Sequence, residues 1–114
     1  MTTVIPKGGG NPSVTLLDAV EAVTTGDWYK LPSDSFSLDI LITDTATVVM
    51  EGTNNPAAEA TPSGVTAQTI QIDGNANTTA SAFVGLSVPV AFIRARVSDY
   101  TAGSVSVFLA HSEQ

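Results

Sequence analysis

The stretch VAFIRARVSDYTAGSVSVFLA (residues 90–110) decides the fold class. Residues 90–97 and residues 104–110 both alternate with a period of two, which places every second side chain on the same face of an extended strand. In residues 90–97 one face is wholly apolar, and the other carries both arginines of the chain. The segment between them, SDYTAG (residues 98–103), is rich in turn-forming residues. We therefore predict two antiparallel strands that pair with each other through a glycine-containing loop.

The same period-two pattern recurs upstream of this stretch. Residues 36–43 form the clearest strand of the first half, and residues 45–51 form another after a turn at Asp44. Residues 14–23 fit a helical face as well as a strand; a strand is predicted because most of the remaining chain is β. Roughly six to eight short strands separated by turns predict an all-β fold, either an antiparallel β-sandwich or a jelly-roll-like barrel. The remaining predictions are strands over residues 28–31 and 65–72, turns at residues 24–27 and 73–75, a loop over residues 52–64, and a loop leading into a strand over residues 77–86.

Residues 1–13 are predicted to form a flexible N-terminal arm, and residues 14–114 a single β domain. The arm holds two prolines and the run Gly8-Gly9-Gly10, and it offers few apolar side chains for burial. Either the arm is a frayed end or it orders against a neighbouring subunit. A length of 114 residues, 43% of them hydrophobic, suits one domain with one core.

The charge balance excludes several classes of partner. The formal net charge is −7, and the chain has four basic residues in total. Binding to phosphates depends on basic side chains, so neither a nucleic acid nor an anionic membrane surface is expected as a partner. Neither a signal peptide nor a membrane-spanning segment is expected, because the apolar runs are too short. The lack of cysteine excludes disulfides and thiolate metal sites.

Residue types that support catalysis or metal binding are sparse. His111 is the single histidine, and we expect its side chain to be solvated near the chain end. The carboxylates are scattered, and most aspartates stand in turn contexts where Asp caps its own backbone. We therefore predict no catalytic, cofactor-binding or metal-binding residues and no enzymatic activity. A small hydrolase is the weakest of the functions considered.

Five side chains are candidates for a partner interface: Trp28, Phe92, Arg94, Arg96 and Tyr100. The two arginines share one strand face with Phe92. They either pair with a carboxylate across the sheet or face a partner, since arginine and aromatic residues are enriched in interfaces. Trp28 and Tyr100 either stack against a sugar or serve as packing anchors.

Three segments resemble small β-rich virion proteins of tailed bacteriophages, such as capsid decoration proteins and related head or tail accessory proteins. The segments are GDWYKLP (residues 26–32), VVMEGTN (residues 48–54) and IRARVSDYTAGSVSV (residues 93–107), and together they span most of residues 26–109. The Gly-rich arm and the loop over residues 55–64 have no counterpart in this pattern.

The resemblance implies a non-enzymatic capsid decoration, or cement, protein that binds the capsid lattice and stabilises the particle. Its partners would be the major capsid protein or other virion proteins, and it would form a homo-oligomer, with a trimer favoured. Its place would be the virion, assembled in the host cytoplasm, and residues 1–13 could thread onto a neighbouring subunit. The alternatives are a phage tail or baseplate accessory protein and a carbohydrate-binding β-sandwich module.

Overall fold

The computed structural model describes residues 13–111, which form nine β-strands and two short 3-10 helices. The arm predicted for residues 1–13 lies outside the described residues except for Ser13, which opens the first strand. The 3-10 helices are Pro56–Ala58 and Pro62–Gly64. The strands are β1 (Ser13–Val20), β2 (Thr24–Thr25), β3 (Tyr29–Lys30), β4 (Ser35–Ile42), β5 (Thr45–Thr53), β6 (Gln68–Ile70), β7 (Ala82–Ser87), β8 (Phe92–Ala102) and β9 (Val105–His111).

Two antiparallel sheets pack face to face. The first has the order β1-β9-β4-β7, and the second has the order β2-β8-β5-β6, with β3 also pairing with β8. If β2 and β3 are taken as one strand position, each sheet has four positions, and the order is that of an eight-stranded jelly roll. The all-β, antiparallel sandwich predicted from the sequence is therefore confirmed. No helix among the described residues is long and apolar enough to cross a membrane.

One long antiparallel ribbon runs through both sheets. Residues 36–42 lie opposite residues 111–105 in the first sheet, and residues 45–53 lie opposite residues 102–92 in the second. Both strands of the ribbon therefore cross from one sheet to the other at the same place. This crossing, at residues 43–44 and 103–104, is called the corner below. Backbone N–H of Thr43 donates to the carbonyl of Ser104 there, at 3.1 Å.

The hairpin predicted for residues 90–110 is wrong in its pairing. Strand β8 continues through the expected loop to Ala102 and pairs with β5, whereas β9 pairs with β1 and β4. The physical reason is that both strands find other partners, β5 for β8 and β1 and β4 for β9, while Gly103, with a φ of 88°, provides the bend between them. Asp44 lies between β4 and β5, as predicted, and this bend is where the chain passes from the first sheet to the second.

Other local predictions have mixed outcomes. The turn at residues 73–75 is confirmed: Asp73 and Gly74 have φ of 53° and 79°, and the backbones of Ile72 and Asn75 exchange two hydrogen bonds of 2.9 Å around them. The strand choice for residues 14–23 is also confirmed, over Ser13–Val20. The turn expected at residues 24–27 is wrong in part, because Thr24–Thr25 pair with β8. The strand expected over residues 65–72 shrinks to Gln68–Ile70.

The core lies between the sheets and is almost wholly aliphatic. In β8 the apolar face predicted from the alternation, Ile93, Ala95 and Val97, is fully buried there. Full burial of a valine or isoleucine side chain contributes about 1.5–3 kcal/mol relative to exposure. The other large, fully buried side chains of the core are Val14, Leu38, Ile40, Val48, Met50, Val105, Val107 and Leu109.

Candidate interaction surfaces

An ion-pair cluster occupies the outer face of the second sheet. Glu51 on β5 lies directly opposite Arg94 on β8, and Arg96 is its diagonal neighbour. The Nε groups of Arg94 and Arg96 donate to the two carboxylate oxygens of Glu51, at 2.8 and 3.1 Å. The Glu51 side chain is only 9% exposed. Pairing of the arginines with a carboxylate across the sheet, one of the two alternatives from the sequence, is therefore confirmed.

Trp28 covers the cluster from outside. The guanidinium of Arg94 lies 4.3 Å from the centre of the Trp28 ring, a cation–π arrangement. The indole Nε1 donates a long hydrogen bond of 3.4 Å to the carbonyl of Pro62. Arg94 is thus held between a carboxylate and an aromatic face, and Trp28 links β8 to the segment that carries the 3-10 helices.

Phe92 lies beneath that segment instead of in solvent. It is buried with Ala58 and Val65 in a second, small apolar cluster on the outer face of the second sheet. Asn54 fixes the start of the segment, because its Oδ1 accepts a hydrogen bond of 2.8 Å from the backbone N–H of Ala91. The loop predicted over residues 52–64 therefore folds down over the sheet.

A cleft of about 440 Å³ opens beside Trp28. One wall is aromatic, from Trp28 and Phe92, and the rim carries an exposed ion pair between Lys30 and Glu59 at 3.4 Å. An aromatic wall with charged groups at the rim is suited to a sugar or a short peptide.

Tyr100 does not join this surface. Its side chain is half-buried against the sandwich core, and its hydroxyl donates to the carbonyl of Gly103 at 2.8 Å. The five candidate interface residues therefore separate. Trp28, Phe92, Arg94 and Arg96 meet on one face, while Tyr100 stabilises the corner.

His111 is buried, so the expectation of a solvated histidine is wrong. Strand β9 extends through His111, which lies opposite Phe36 on β4. This backbone pairing fixes the position of His111, whose side chain is buried. The Tyr29 hydroxyl is hydrogen-bonded to Nε2 of His111 at 3.1 Å, and the two rings stack with centroids 6.2 Å apart. Burial raises the pKa of Tyr29, because the charged phenolate would lose solvation.

Alkaline pH is expected to destabilise the protein through Tyr29. The folded state holds the phenol proton more tightly than the unfolded chain does. The resulting stability is complete below the ordinary tyrosine pKa of 10.0 and is lost as the pH rises through the raised pKa of the folded state. Thermal melts of the native chain and of Tyr29→Phe across this range test the effect, with Tyr100→Phe as the matched control. A fall in melting temperature that is as steep in Tyr29→Phe as in the native chain would contradict it.

The outer face of the first sheet carries apolar side chains that the sequence analysis did not single out. Phe83 on β7 is 77% exposed, and Leu41 on β4 is also exposed. Phe83 stands beside Asp39, its cross-strand neighbour, at a shallow groove of about 200 Å³. The alternation of residues 82–87 could have placed Phe83, Gly85 and Ser87 on one face, but it does not say which face is outward.

No three carboxylate or histidine side chains within residues 13–111 come together in a way that could hold a metal ion.

Comparison with known proteins gives no family for the chain: no family model, no curated protein and no solved structure matches it. The fold and the surfaces therefore carry the functional proposal.

Proposed function

We propose that the chain is a non-enzymatic structural protein of a tailed-phage virion, which binds the capsid lattice and stabilises the particle. The observation that carries the proposal is the jelly-roll strand order. Double-sheet jelly rolls recur in viral capsid domains and in lectins. This support is an analogy of fold, because one fold serves many functions.

The three segments that resemble virion proteins are neighbours in space. Residues 26–32 contain β3, and residues 48–54 lie largely in β5. Both strands pair with β8, most of which lies within residues 93–107. The matching segments therefore lie mostly in the second sheet, and residues 105–107 continue past the corner into β9.

The charges favour a partner with a basic or apolar surface. Each of the three basic side chains among the described residues is paired with a glutamate, Lys30 with Glu59 and the two arginines with Glu51. The remaining acidic groups leave the chain with its net charge of −7. A capsid protein would have to present complementary charge or apolar contacts to this surface.

A second candidate function is carbohydrate binding at the cleft beside Trp28. The cleft combines an aromatic ring with the carboxylates of Asp27 and Glu59, the groups that stack on and hydrogen-bond to sugars. However, Arg94 already covers one face of the Trp28 ring. Only the remaining ring surface that lines the cleft is open to a sugar.

Electron microscopy of gold-labelled particles from the phage or prophage that encodes the chain separates these functions. Gold on the head is the expected result, and gold on the tail would move the protein to the tail or baseplate. Unlabelled particles would contradict the virion proposal. A glycan array is the parallel test of the second candidate: binding that is lost in Trp28→Ala and kept in Tyr100→Phe would establish carbohydrate binding instead.

A further inference from the structure

Strand β7 is an edge strand without the usual protection against further pairing. Natural sheet edges are shielded by short strands, charged residues, prolines or bulges. The other edges have such features: β2, β3 and β6 are two or three residues long. Strand β1 carries Asp18, a positive φ at Ala19 and two register shifts against β9. By contrast, β7 has six residues, no charge and no proline, and it pairs with β4 without a register shift.

The free edge of β7 exposes backbone hydrogen-bonding groups. The N–H of Val88 donates to the carbonyl of Asp34 at 2.9 Å, and every second residue of an antiparallel strand faces the same neighbour. The even-numbered residues of β7 therefore face β4, and Phe83, Gly85 and Ser87 direct their N–H and C=O groups away from it. Between the described residues, no hydrogen bond outside the strand ladders uses the backbone of these three.

The side chains along this edge are complementary to each other. Phe83 is the most exposed of the large apolar side chains that the structure describes, at 77%. Two residues further on, the position that a Cβ of Gly85 would take has no atom within 4 Å. Phe83 and Gly85 point to the same face of the sheet, so β7 presents an aromatic ring next to an open site.

We propose that β7 pairs with β7 of a second copy of this chain, antiparallel, about a two-fold axis at Val84. In this register Phe83 of each copy lies opposite Gly85 of the other, and each such pair exchanges two backbone hydrogen bonds. The ring of Phe83 then covers the open site over Gly85, an aromatic–glycine pairing that stabilises strand edges. The two first sheets join into one sheet of eight strands.

Electrostatics do not oppose this contact. Within residues 13–111, the charged side chain that neighbours Phe83 across the strands is Asp39, on β4. In the dimer the two Asp39 side chains are separated by three strand spacings, about 14 Å, which exceeds the screening length of about 8 Å at physiological salt. The net charge of −7 per chain is therefore compatible with the contact. This dimer does not depend on the virion proposal. It has two-fold symmetry, whereas the resemblance to virion proteins implies a trimer.

Cysteine cross-linking tests the register, because the chain has no cysteine of its own. Opposed residues of a hydrogen-bonded antiparallel pair have Cα atoms about 5.5 Å apart, within disulfide range. Mixed under oxidising conditions, the Phe83→Cys and Gly85→Cys chains are expected to form the mixed disulfide in preference to either homodimer. Preferential Gly85→Cys homodimers would overturn the proposed register.

Light scattering over a range of concentrations tests the dimer itself. The native chain is expected to approach twice the chain mass of 11.7 kDa. Phe83→Lys, which places two ammonium groups at the two-fold contact, should stay at the monomer mass. Val23→Lys introduces a lysine at another exposed apolar residue, away from β7, and should dimerise like the native chain. Circular dichroism checks that the variants fold. A monomeric native chain, or a Phe83→Lys variant that still dimerises, overturns the proposal.

Discussion

Replacing Gly103 with alanine is expected to lower the free energy of unfolding by about 3–5 kcal/mol. The φ of 88° is a conformation that side-chain-bearing residues rarely adopt. An added Cβ would also lie 2.6 Å from the Oγ1 of Thr43 and 2.8 Å from the backbone N of Asp44. The corner cannot easily open to relieve this clash, because the N–H of Ser104 donates to the same Oγ1 at 2.7 Å.

Two other glycines separate the backbone effect from the clash. Gly74 has a φ of 79° but open space around it, so Gly74→Ala should cost about 1–2 kcal/mol from the backbone alone. Gly64 has open space around it and no positive φ, so Gly64→Ala should change stability by less than about 0.5 kcal/mol. Denaturant unfolding measures all three. Equal losses for Gly103→Ala and Gly74→Ala would contradict the close packing of the corner.

Replacing Glu51 with glutamine is expected to destabilise the fold by about 2–4 kcal/mol. The change keeps the shape of the side chain but removes the one carboxylate shared by Arg94 and Arg96. Uncompensated charge in a largely buried cluster is costly, and the 34% exposure of the Arg96 side chain places the estimate below the value for a fully buried pair.

Glu59→Gln is the matched control for this prediction. Glu59 pairs with Lys30 in a solvent-exposed bridge, and such pairs contribute about 0–1 kcal/mol. Chemical unfolding should therefore show a large loss for Glu51→Gln and a small one for Glu59→Gln. Trp28 is the single tryptophan of the chain and packs on Arg94, so its fluorescence should shift in Glu51→Gln. A loss of stability in Glu51→Gln as small as that in Glu59→Gln would contradict the stabilising role of the cluster.

Local features of the fold are readable from the sequence. The period-two pattern assigned the buried face of β8, because alternation determines which side chains share a face. The Asp73-Gly74 turn was identified correctly, because both positions need a positive φ that these residues tolerate. The sequence does not identify the corner at Gly103, because a glycine-containing connection can join the two strands of a hairpin or two strands in different sheets. The choice depends on whether the flanking strands find other partners, which is a long-range property.

The candidate site depended on long-range pairing in the same way. The sequence placed Arg94 and Arg96 on one face but did not select Glu51 as their partner, because 43 residues separate Glu51 from Arg94. The burial of His111 likewise follows from the pairing of β9 with β4. The two interpretations of the arginines could be distinguished only when the register of β5 against β8 was known.

The copy number of the chain in purified particles tests the virion proposal most directly. Particles from the phage or prophage that encodes the chain would be purified and washed. Quantitative mass spectrometry would then measure the ratio of the chain to the major capsid protein. A lattice-bound decoration protein predicts a fixed ratio, reproducible between preparations, with the chain retained through the wash. Expression of the chain in the host together with its absence from the particles would contradict the account.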